Sequence, residues 1–157
     1  MRLDGDVSIL HRTTVQSVSG PFRHIACCLD DSAASRRALA EARRLRAFGQ
    51  GRLSLVHVVQ FPLPFSVGFS PEPSPNDLAT SARGWLNPIG DEIPEAETVL
   101  LQGYPAAETC TWAENHAVDL LICAAHRNLP QRLALGSFAH YLVNHAPCPV
   151  LVLRPPV

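Results

Sequence analysis

DLLICAAHRNLPQRLALGSFAHYLVNHAPCPVLVLR, Asp119 to Arg154, passes from an apolar run through a polar loop into a helical pattern and out into a second apolar run. DLLICA (Asp119 to Ala124) reads as a buried strand and Ser137 to His145 as a helix. VLVLR (Val150 to Arg154) reads as a further strand, with Pro147 and Pro149 bracketing the turn before it. Strand, helix and strand in this order form a crossover unit, which joins parallel neighbours. The fold depends on whether the rest of the chain repeats the unit.

It does. TVLLQ (Thr98 to Gln102) is a short strand, Gly103 a turn, and Pro105 suits the first position of a helix ending near Ala117. RHIACCL (Arg23 to Leu29) and RLSLVHVV (Arg52 to Val59) are strands, and between them Ala34, Ala38, Ala42 and Leu45 recur at helical spacing. Asp31 or Ser32 is placed to cap that helix, and Gly49 to end it. Five prolines in QFPLPFSVGFSPEPSPND (Gln60 to Asp77) predict a long surface loop, and Phe61 to Pro75 is expected to be the most mobile part of the chain after the amino terminus. A helix then runs from about Asp77 to Leu86 and stops before Pro88. Near-continuous apolar strands separated by helices call for one open α/β layer, five parallel strands with helices on both faces.

The composition narrows the function. A 157-residue chain supports one core, and a net charge of -1 leaves no electrostatic footprint for nucleic acid. Residues 1–21 read as an extension and 22–157 as the domain; no apolar run is long enough for a membrane span. Five cysteines, an odd number lying largely in apolar runs, fit a reducing cytoplasm. All thirteen cationic residues are arginine, which removes P-loop and Schiff-base lysine chemistry. LDDSAAS after the first strand lacks the Ser-Gly-Gly of ATP pyrophosphatases, and no spacing assembles a Ser-His-Asp set. His140 and His145 are five apart, which does not stack two imidazoles on one helix face, so no metal site is read there.

In such a sheet the ligand crevice lies at the carboxyl ends of the strands, where the strand order reverses. With strand order 3-2-1-4-5, Asp30 at the end of the first strand and the loop from Cys123 to Ser137 converge there. CCLDDSAASRRAL, LVHVV, VDLLICAAHR and LALGSFAHYLVNHAPCPVLVLRP together resemble the universal stress protein family over roughly Arg23 to Arg154. The resemblance implies an adenine nucleotide alpha hydrolase-like fold. It also implies a nucleotide pocket in which Asp30 meets the nucleoside, Val58 the adenine, and Gly136 with Ser137 the phosphates. Nucleotide-binding members carry glycine, two residues, glycine, nine residues, then Gly-Ser; here Cys123 and His126 occupy the two glycine positions. Side chains there crowd the phosphates, with strain of about 1 kcal/mol or more per residue if positive φ is required.

The expectation is therefore a universal stress protein-like regulatory or protective protein with a degenerate pocket and no resident cofactor. It acts as a homodimer through its C-terminal strand and on an unidentified protein partner, with neither nucleic acid nor membrane involved. The alternative is a sensor that binds ATP or AMP. Competing readings of single residues are plainer: Asp30 as a helix cap, the arginines of the first helix as a solvated face around Glu41, Trp85 and Trp112 as packing, and Arg127 and Arg132 as solvated loop residues.

Overall fold

The computed structural model describes residues 20–60, 73–125 and 135–154. Nine elements alternate along them: β1 (His24–Cys28), α1 (Ala33–Arg46), β2 (Arg52–Val59), α2 (Pro75–Asp91), β3 (Ala96–Gln102), α3 (Pro105–Asn115), β4 (Leu120–Ala124), α4 (Ser137–His145) and β5 (Val150–Leu153). The strands form one sheet in the order β3-β2-β1-β4-β5, and every pairing is parallel. Alternation along each strand sorts side chains onto two faces. Ile25, Cys27, Leu53, Leu55 and Ile122 pack with Leu39, Ala42, Leu86 and Ile89 of α1 and α2. Ala26, Cys28, Val56, Leu121 and Cys123 pack with Trp112, Ala113, Ala139 and Leu142 of α3 and α4. Burial on both faces is why the strand sequences read as unbroken apolar runs.

Local chemistry sets the helix ends, in places against expectation. Ser32, not Asp30 or Asp31, caps α1: its hydroxyl accepts from Ser35 N–H at 3.1 Å. The helix ends at Arg46, and the left-handed residue of the following turn is Gln50, φ 51°. Gly49 serves a different purpose, because a Cβ there would lie 2.2 Å from Gly20 Cα. The backbones meet too closely for any side chain.

The helix expected to stop before Pro88 runs through it to Asp91, so that boundary is corrected. Ile89 continues the buried series Ala79, Ala82 and Leu86, and burying its side chain outweighs the hydrogen bond that Pro88 removes. The start is also earlier than expected. Pro75 occupies the first turn, where it has no N–H to waste, and Ser74 with Asp77 forms a reciprocal capping box. Residues 61–72 of the proline-rich segment, like residues 1–19 of the extension, lie outside the described residues.

At the amino ends of the strands a polar chain pins the register. The Asp119 carboxylate accepts from the backbone N–H of Arg23 at 2.8 Å and of His24 at 3.0 Å, fastening β4 to β1. His24 is buried with Nδ1–H donating to the His116 carbonyl at 3.0 Å and Nε2 2.7 Å from Ser54 Oγ. The Ser54 hydroxyl, 2.8 Å from Glu97 Oε1, carries one proton that serves either that carboxylate or His24 Nε2, so one polar line crosses β1, β2 and β3. Trp112 lies edge-on to His24 and stacks on His116, which confirms it as a packing residue. Burial lowers the His24 pKa, while the Ser54 hydroxyl is the main cause holding Glu97 below the usual carboxylate range.

Candidate functional site

A cavity of about 560 Å³ opens at the carboxyl ends of β1, β2 and β4, where the strand order reverses. Its lining combines strand residues Cys28, Val56, Val58 and Cys123 with Thr109 and Pro105 of α3 and Phe138 of α4. Asp30, Gly136 and Ser137 complete it, so five of the six residues singled out in the sequence share one space. The sixth, His126, lies outside the described residues, as do Arg127 and Arg132.

Asp30 follows β1, exposed, with Oδ1 accepting from Ser32 N–H at 3.1 Å. Ser35 then donates its hydroxyl to the Asp30 carbonyl, so the turn is held from both sides and the carboxylate stands at a fixed place beside the cavity. Gly136 caps α4 with φ 83° and ψ 156°, a conformation essentially confined to glycine. It turns the chain so that α4 presents the N–H groups of its first turn and the Ser137 side chain beside the cavity. Much of the remaining lining is apolar, with Leu135, Phe138 and Ala139 joining Val56 and Val58. Such a space suits a flat apolar group at the strands and an anionic group near the helix start.

Cys123 departs from expectation in one respect. It belongs to β4 and has no positive φ, so the strain argument does not apply to it; what remains is the bulk of a thiol in the cavity floor. Burial pushes that thiol up to about 12 and raises Cys28 well above its usual value, so both stay protonated at neutral pH. His57 points to the other face: its Nδ1–H donates to the Leu29 carbonyl at 2.8 Å and its ring meets Trp85 edge-on. Trp85 is thus a packing residue too.

Sequence reading missed Cys28, Pro105, Thr109 and Phe138 as cavity residues. Alternation along β1 puts Cys28 on the face of Ala26, but which helix covers that face depends on the crossovers.

The sequence model of the universal stress protein family matches residues 21–154, and the chain belongs to that family. It is 30% identical over 138 residues to the universal stress protein in QAH/OAS sulfhydrylase 3'region of Thermus aquaticus, covering 85% of this chain and 99% of that protein. The solved structure of universal stress protein UspA from Lactobacillus plantarum superposes with a TM-score of 0.67 at 26% identity, over 83% of this chain and 97% of that one. An Arabidopsis thaliana family protein solved with AMP bound shares the fold, with a TM-score of 0.59 at 17% identity over 85% and 92% of the two chains.

Proposed function

We propose that this protein is a regulatory or protective member of the family that works without catalysis, as a cytoplasmic homodimer in contact with a further protein. Its cavity keeps the place of an adenine nucleotide but grips a triphosphate poorly. The observation that carries this reading is the composition of one space: Asp30, Val58, Gly136 and Ser137 are gathered around the cavity, while Cys123 puts a side chain into its floor. The described lining holds no lysine or arginine, and the His57 side chain turns to Leu29 and Trp85 on the other face, so cationic support for three phosphates is absent among these residues.

A second reading, an ATP or AMP sensor, is favoured by the AMP held in the Arabidopsis thaliana relative. AMP asks only for a nucleoside wall and one anion site, and the apolar wall with the start of α4 offers both. Mass spectrometry of the gently purified chain discriminates. The proposal expects no stoichiometric nucleotide; one equivalent of retained ATP per chain contradicts it, and one equivalent of AMP establishes the sensor.

A further inference from the structure

We infer that Cys28 and Cys123 form a two-thiol site in the cavity floor that captures a soft d10 cation in linear, two-coordinate geometry. β1 and β4 pair with Cys27 opposite Ile122, so the next residues, Cys28 and Cys123, stand side by side. Both belong to the apolar cluster under α3 and α4, and both line the cavity. They are 7% and 1% exposed, reachable from the cavity rather than from the outer surface.

Three physical arguments select the ligand. The first is spacing. Neighbouring strands stand about 4.8 Å apart, so two thiols directly opposite on one face can reach a common ligand. Two sulfur–metal bonds of about 2.3 Å in line span about 4.6 Å, which fits the undistorted ladder. The second is ligand number. Zinc asks for four ligands or three and a water, and among the described residues no cluster of three or more His, Cys, Asp or Glu gathers to hold a metal. The third is charge: the floor is apolar, and a divalent cation held by two thiolates leaves a neutral unit there. In the capture step two S–H bonds and the cation's two metal–chloride bonds break, two S–metal bonds form, and two protons and two chloride ions leave through the cavity mouth. No electron moves.

Cys27 faces the other side of the sheet, and Cys110 and Cys148 are half-buried outside the cavity lining. The test uses the full chain carrying Cys110→Ser and Cys148→Ser, with mercuric chloride as the probe and millimolar glutathione as competitor. The expected result is one cation per chain that glutathione does not remove, two protons released when the titration is run without glutathione, a sulfur-to-metal absorption band, and no displacement by equimolar zinc. Cys28→Ala and Cys123→Ala, each checked for an unchanged circular dichroism spectrum, should each weaken capture at least a hundredfold. Loss of all capture to glutathione, or equal capture by either alanine variant, overturns the site. If a variant misfolds, tandem mass spectrometry of the parent adduct decides instead: a mercury bridge between Cys28 and Cys123 supports the site, and a bridge through Cys27 refutes it.

Discussion

Gly136 carries more of the site than its size suggests. At φ 83° and ψ 156° it occupies backbone space that an alanine enters only with strain. Gly136→Ala should cost about 1–3 kcal/mol of stability and weaken any anion at the start of α4, read by thermal unfolding and phosphate titration. Wild-type stability in that variant would show that the turn relaxes freely. His24 gives a second, pH-dependent test. Its folded pKa lies below its ordinary value, so on acidification the unfolded chain takes up the proton first. The contribution of His24 is therefore complete above about pH 6.5 and is lost as pH falls through the folded value. Glu97, also depressed, adds a further loss below its usual range, with the same sign. Urea unfolding should show stability falling from pH 7 to 4, and Ser54→Ala should shrink the Glu97 share while lowering stability at neutral pH by about 1–3 kcal/mol. Stability that rises on acidification from pH 7 would instead mean that the His24–Ser54–Glu97 line binds a proton on folding.

Among the elements, α2 shows where local signals mislead. Pro88 is a stop signal, yet Ile89 behind it is buried, and tertiary burial overrides a local penalty. Gly84 sits in the same helix with open space where a Cβ would lie. Gly84→Ala should therefore stabilise the protein by about 0.5–1 kcal/mol, measured by chemical denaturation; a loss would mean that Gly84 relieves the turn around Pro88. What the sequence made readable was periodic: apolar runs, helical spacing, and the Gly-Ser start of α4 all stand where expected. What it hid was lateral. The neighbourhood of Cys28 and Cys123, and the polar contacts that join His24, Ser54 and Glu97, arise from register between strands far apart in the chain. Strands buried on both faces read as continuous apolar runs, so alternation along one strand does not fix that register.

Among the described residues β5 stands at one edge of the sheet with β4 as its sole neighbour. Val150 and Val152 join the α3/α4 face and Leu151 and Leu153 the other, as alternation requires, and all four remain half-exposed. An apolar edge strand is a template for pairing with a second copy, and a two-fold axis would close such a contact. Light scattering at micromolar concentration should give a dimer, and Leu151→Asp a monomer. A monomeric native chain, unchanged by Leu151→Asp, would remove the dimer from the account.

Whether the cavity still grips a triphosphate is the question on which the proposed function turns. Restoring glycine with Cys123→Gly and His126→Gly should raise ATP affinity about tenfold, a gain of about 1.4 kcal/mol, and adding Asp30→Ala should abolish that gain. No gain would show that crowding by these side chains is not what weakens binding. The most direct measurement is calorimetric titration of the unmodified protein with ATP. A dissociation constant on the order of 0.1 mM or weaker, about 5 kcal/mol of binding, is the predicted result; micromolar affinity would contradict the account.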